Sequence, residues 1–210
     1  MDHFPAGLLM SWEAWQIFAL FWVLFVTTPG PNAVNCISTA MTYGFKASLI
    51  TVLAILCQAS LFLALSAVGI SALLLASPML FQVASYIGAG FLIYLGVRAW
   101  IVAKRPITQT DVAKSSIFTQ AFMIATINPK SIAGYFAAFT QFIQPNVPIA
   151  QQMWVITPTA LTLTSLSYMT YCALGAGLGR MALGAIMNIW LRRSLAACFV
   201  VYGILLAVLI

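Results

Sequence analysis

The chain has 210 residues, 63% of them hydrophobic and 6% charged. A soluble domain carries about 25% charged residues, so this chain has too little polar surface to meet water all round, and lipid is its bulk solvent. Nine basic and three acidic residues give a net charge of +6, which on a soluble protein would suggest nucleic acid; here the positions of the charges supply another reason.

In lipid every backbone group must pair internally, which leaves helices or closed barrels. Barrel strands alternate apolar and polar residues, whereas runs such as Leu49–Ala76 are continuously apolar. Helices are therefore predicted. The opening run "MDHFPAGLLMSWEAW" lacks a basic n-region and a small-residue cleavage site, so it does not read as a cleaved signal peptide. Six spans follow, near 14–37, 48–75, 79–101, 116–143, 152–177 and 194–210, the last short enough that it can begin earlier, within "AIMNIWLRR".

The charges sort by side. Lys46 lies in the first loop; Arg98, Lys104, Arg105 and Lys114 flank the end of the third span; Arg180, Arg192 and Arg193 flank that of the fifth. Loops two and four carry no charge, and the N-terminal segment has Asp2 and Glu13 but no Lys or Arg. By the positive-inside rule the basic side is cytoplasmic and both termini are outside. The basic balance then calls for no nucleic-acid partner. The ninth basic residue, Lys130, sits about 14 residues into span four, far from either interface at about 1.5 Å per residue. An ionisable group at that depth points to function; the alternative is snorkelling.

Two spans are interrupted at matching places. "TTPGPNAV" (27–34) breaks span one and "TINPKSIA" (126–133) breaks span four. Spans one to three start outside and spans four to six start inside, so the halves have opposite orientation. Matched breaks in oppositely oriented halves indicate an inverted-repeat transporter. The predicted fold is an all-α membrane protein of six helices in an inverted 3+3 repeat: residues 1–102, a cytoplasmic linker 103–115, and residues 116–210. Proline removes a backbone donor and clashes with the preceding turn, so Pro29, Gly30 and Pro31, and then Asn128-Pro129, free backbone groups near mid-membrane. Half-helices restarting at Pro31 and Pro129 present positive dipole ends to a substrate carboxylate. Asn32 and Asn35 add amides and Lys130 a positive charge. The simpler alternative, a pair of kinks, stays open.

Span five carries a polar stripe, Thr157, Thr164, Tyr168 and Tyr171, flanked by Ser165 and Ser167; Gln58 is the deep polar residue of span two. Such hydroxyls serve as a lining or as interhelical glue, and the glycines of "GAGLG" (175–179) suit close helix packing. Cys36, Cys57, Cys172 and Cys198 sit in apolar runs without metal-ligand spacing and read as buried small apolar residues. No metal or other cofactor is implied. An enzyme or redox carrier would need deep acids, histidines or paired thiols, and His3 is the one histidine. A metal exporter or channel would need a cluster of ligating side chains.

"TPGPN" (28–32), "GFKAS" (44–48), "GAGFLIYLG" (88–96) and "INPKSIAGYFAAFTQFI" (127–143) resemble the lysine-exporter (LysE) family, closest to its homoserine/threonine-efflux (RhtB) branch, in order along nearly the whole chain. The resemblance implies a bacterial inner-membrane exporter of amino acids or related metabolites that uses the proton gradient. It places the family motifs on Pro29, Gly30, Pro31 and Asn32, on Asn128, Pro129 and Lys130, and on Tyr94, Leu95 and Gly96 with Arg98 after them. The expected substrate-binding set is Pro29, Gly30, Pro31, Asn32, Gln58, Asn128, Pro129, Lys130, Thr164 and Tyr168. Relatives often carry acids near Gln58–Ala59 and Thr164–Ser165; this chain has neither, and it has Thr140 where relatives often have proline. Without a deep carboxylate, a cationic substrate lacks a counter-ion, so small neutral amino acids or derivatives are expected. Lys130 then either moves the coupled proton or neutralises the substrate carboxylate. The alternatives are export of another small metabolite and a diverged relative without amino-acid transport. The partners expected are the substrate, the bilayer, a coupled proton and a second copy in a homodimer.

Overall fold

A computed structural model describes residues 10–105 and 116–209. Asp2, His3, Asp111, Lys114 and most of the expected linker lie outside the described residues. Helices follow one another along the chain: α1 Trp12–Thr27, α2 Pro31–Ala76, α3 Pro78–Ile101 with a 3₁₀ turn Val102–Lys104, α4 Ile117–Ile127, α5 Pro129–Phe142, α6 Ile149–Leu178, α7 Arg180–Ile186 and α8 Ile189–Leu209. No strand occurs among the described residues. Three helices, Pro31–Ala76, Met79–Lys104 and Ile189–Val208, are long and apolar enough to cross a membrane; α1 and α4 are apolar but shorter. The 30-residue α6 is not among the three, although it has the length. Its threonines, serines and tyrosines lower its hydropathy, and several of them face the interior.

Both expected interruptions are present. Thr28 to Gly30 separate α1 from α2, and Asn128 alone separates α4 from α5. Pro31 and Pro129 each open the following helix, where their missing N–H costs nothing.

The expected loop between spans one and two is instead helical. The 46-residue α2 leaves helical geometry only at Gly44, with φ 79° and ψ 171°. That conformation is open essentially to glycine alone, so one residue makes the turn. Two arms result, 31–43 and 45–76. The last helix also starts early, at Ile189, because the Asn188 side chain accepts the N–H groups of Trp190 and Leu191 at 2.9 and 3.2 Å. Arg192 and Arg193 therefore lie in the first turns of α8 and not in a loop. "GAGLG" divides its labour: Gly175 packs against the backbone of Ile37, whereas Gly179 ends α6 at φ 52°. Among the cysteines, Cys36 and Cys172 are buried but Cys57 and Cys198 are exposed. In a chain whose solvent is lipid, an apolar position is as stable on the outer face as inside, so apolarity alone did not fix their burial.

Two apolar cores lie on opposite sides of the breaks. One gathers aromatic residues of α1 and α5, among them Phe18, Phe21, Trp22, Phe25, Tyr135 and Phe139. The other joins both arms of α2 to α6 and α7 through Ile37, Ile55, Tyr168, Cys172 and Leu183. Glycines permit the closest helix approaches. A Cβ at Gly96 would meet Val200 and the Ala196 backbone, and one at Gly203 would meet Ile93 and the Ala89 backbone, so α3 and α8 touch along a seam of small residues.

Candidate functional site

At the first break the ladder of α1 stops and leaves carbonyls that must be paired. Side chains from two other helices pair them. Ser167 donates to the Val26 carbonyl at 3.2 Å and Tyr171 to that of Thr27 at 2.6 Å. The Lys130 Nζ donates to the carbonyl of Thr28 at 2.7 Å. The hydroxyl of Thr28 turns back to Leu24 O at 2.6 Å. Lys130 thus reaches across from the second break to hold the first, and its Nζ also lies 5.1 Å from the centroid of the Phe25 ring. Snorkelling is excluded for this lysine.

The helix starts at the two breaks differ. Asn128 caps α5, its Oδ1 accepting the Lys130 N–H at 3.1 Å. Gly30 caps α2 with no side-chain bond, so the Asn32 and Ala33 amides at this positive end have no protein cap. The stem of Lys130 runs past this end: a Cβ on Gly30 would lie 3.9 Å from Lys130 Cδ.

Both breaks open on one cavity of about 410 Å³. Its inner wall is Thr28 to Pro31 with Asn128, Pro129 and Lys130, and its outer wall includes Arg98, Arg105 and Arg192. It therefore opens toward the basic end of the molecule. Arg192 is committed to structure, donating to the carbonyls of Ala103 and Arg105, each at 2.7 Å, and of Val102 at 3.2 Å, which ties α8 to the end of α3. Deeper in, a chamber of about 10 Å³ is walled by Asn32, Gln58, Lys130, Ser131, Thr164 and Tyr168, with the aromatic rings of Phe25 and Tyr135. The Asn32 Nδ2 donates to the Tyr168 hydroxyl at 3.5 Å. The Asn32 Oδ1 and Gln58 Nε2 are buried and have no partner.

The structure thus places every expected site residue on the wall of the larger cavity or of the chamber. Pro29, Gly30, Pro31 and Pro129 line the cavity; Asn32, Gln58, Thr164 and Tyr168 line the chamber; Asn128 and Lys130 line both. Thr164 also accepts the Trp22 Nε1–H at 3.0 Å, a bond shared with Ala160 O at 3.0 Å. That pair fastens α1 to α6 on the side of the breaks away from the arginines. Phe25, Ser131 and Tyr135 were not expected. A phenylalanine in an apolar run carries no signal of its own, but Ser131 and Tyr135 follow Lys130 by one and five residues in a restarted helix. Tyr171, read as part of the span-five stripe, acts on the break itself.

The chain matches the LysE type translocator family over residues 12–209. It belongs to that family. Its relatives include a protein of Vibrio cholerae described as an uncharacterized membrane protein, 30% identical over 202 residues that cover 94% of this chain and 98% of the relative. A homoserine/homoserine lactone efflux protein of Salmonella typhimurium is 26% identical over the same shares of the two chains. A leucine efflux protein of that organism is 30% identical over 172 residues, 80% of this chain and 79% of the relative. The chain is thus a membrane transporter of the branch whose members carry amino-acid efflux names. No solved structure matches it.

Proposed function

We propose that this protein exports small neutral amino acids or their derivatives across the bacterial inner membrane by secondary transport coupled to protons. The observation that carries the reading is a cavity of about 410 Å³ on which both breaks and Lys130 converge. A substrate carboxylate fits between the uncapped start of α2 and Lys130, because both present positive charge to the same space. Neither the cavity nor the chamber is lined by a carboxylate among the described residues, which disfavours a substrate with a cationic side chain. The relatives' names, efflux of homoserine or its lactone and of leucine, support the same substrate class.

In this reading the six spans are α1 with the first arm of α2, the second arm of α2, α3, α4 with α5, α6, and α8. They form two inverted halves, 1–102 and 116–210, joined by a cytoplasmic linker, with the arginine-lined end in the cytoplasm and both termini outside. The cavity then faces the cytoplasm, and the aromatic core of α1 and α5 closes the outer side. Alternating access is a rocking of one half against the other about the two breaks.

The test is counterflow of labelled amino acids into proteoliposomes, with and without a pH gradient. Uptake of neutral amino acids such as homoserine or leucine, raised by the gradient, is expected. Failure of every neutral member, with movement of lysine or of an unrelated metabolite, contradicts the reading.

A further inference from the structure

Among the described residues, the buried side-chain atoms without a partner are concentrated on one helix. They are the Oδ1 atoms of Asn32 and Asn35, the hydroxyls of Ser38, Thr39 and Thr51, and the Gln58 Nε2, all on α2; the one elsewhere is the Arg193 Nε. Buried polar groups are otherwise satisfied in folded proteins, and those without a protein partner call for water or an ion. The hydroxyls are unusual even within this molecule. Those of Thr42, Ser60 and Ser71, on the same helix, bond their own backbone at 2.9, 2.9 and 2.7 Å, and those of Thr39 and Thr51, both fully buried, do not.

The orphans are also ordered. Asn32 and Gln58, one on each arm of α2, face the chamber beside Lys130. Thr39 and Thr51 stand five residues before and seven after the Gly44 turn. Asn32, Asn35 and Thr39 recur at three- and four-residue spacing and share a face of the first arm. Asn35 also lines a cavity of about 280 Å³ toward α4. The chamber, about 10 Å³, has room for one water. Its orphans decide what enters: Asn32 Oδ1 needs a donor and Gln58 Nε2 needs an acceptor. A metal cation satisfies only the first and an anion only the second, whereas water satisfies both.

We propose that the arms of α2 enclose a file of buried waters, running from the chamber at Lys130 to the Gly44 turn, and that this file carries the coupled proton apart from the cavity that takes the substrate. The inference rests on the proton-coupled reading above. From Asn32 to Thr39 is about 10 Å along the helix, a distance that about three waters bridge at hydrogen-bond spacing. In the transfer, one N–H bond of the Lys130 ammonium breaks and its proton joins the chamber water. Each water passes a proton to the next, and one proton leaves at the Gly44 end. The neutral amine keeps two N–H groups, so its bond to Thr28 O survives. The titratable or charged groups facing Lys130 are Tyr135 on its own helix, Tyr168 on α6, and Arg98, Arg105 and Arg192 across the cavity. None of them is a carboxylate that would hold the proton.

The test pairs transport with a readout that needs no substrate. Thr39→Val/Thr51→Val removes two hydroxyls at nearly constant volume, away from the substrate walls. Gradient-driven uptake is expected to fall about tenfold or more while exchange at equal pH stays within about twofold. Equal gradient dependence in the variant and the native protein overturns the file. Radiolytic hydroxyl-radical labelling of the purified protein is the second measurement. Ile55, on the chamber wall, should be oxidised well above Leu63, which is as deeply buried on the same helix. Equal protection of Ile55 and Leu63 overturns the file whether or not an amino acid is transported.

Discussion

Lys130 has two neighbours that a lipid-facing lysine would lack, the Thr28 carbonyl and the face of Phe25. The Phe25 ring is fixed in turn. It lies edge-on to Tyr135 at 6.0 Å and to Trp22 at 5.4 Å, and Gly134 gives it room, since a Cβ there would overlap the ring. Gly134→Ala is therefore expected to push Phe25 off the ammonium at a cost of about 1–3 kcal/mol from overpacking. The readout is exchange activity against thermal stability in detergent. Activity should fall by more than the stability loss explains, and unchanged exchange would show that the position of Phe25 is not used.

The elements follow from where the backbone cannot stay helical. The breaks at Pro29–Pro31 and Asn128-Pro129 were legible because proline has a fixed local effect that no packing reverses. Lys130 was legible because its depth follows from counting residues. The turn between spans one and two was legible as a loop near 38–47; its form was not, since only the structure shows that Gly44 alone makes it, at φ 79°, within an otherwise helical run. Nor could the sequence show that Ser167, Tyr171 and Lys130 cap the carbonyls of the first break, because these bonds join residues more than a hundred positions apart. Gly44→Ala tests the turn. A Cβ there meets no atom within 4 Å, so the cost is conformational alone, about 1–3 kcal/mol, and should appear as a lower unfolding temperature in detergent. A variant as stable as the native protein would mean that the arms join in some other way.

Across the whole molecule the two sides of the breaks differ. Away from the arginines, Phe21, Trp22, Tyr135 and Phe142 pack with centroids 5.2–6.4 Å apart, and Trp22 bolts α1 to α6. Toward the arginines the breaks open on the 410 Å³ cavity. The aromatic packing parts the breaks from a second cavity of about 710 Å³ near Phe142 and Gln144, and the lysine stands on the arginine side of that packing. Lys130 clamps the first break through Thr28 O and, as proposed, also supplies the charge that holds the substrate, and its variants separate these roles. Lys130→Arg keeps the charge and a donor for Thr28 O, whereas Lys130→Gln keeps a donor and loses the charge. The measurement is substrate exchange by both variants in proteoliposomes, with correct insertion and folding checked. The arginine variant is expected to exchange, and the glutamine variant to be folded but slower by about a hundredfold or more. Exchange by Lys130→Gln at the native rate would reduce Lys130 to a structural clamp and overturn its role in holding the substrate.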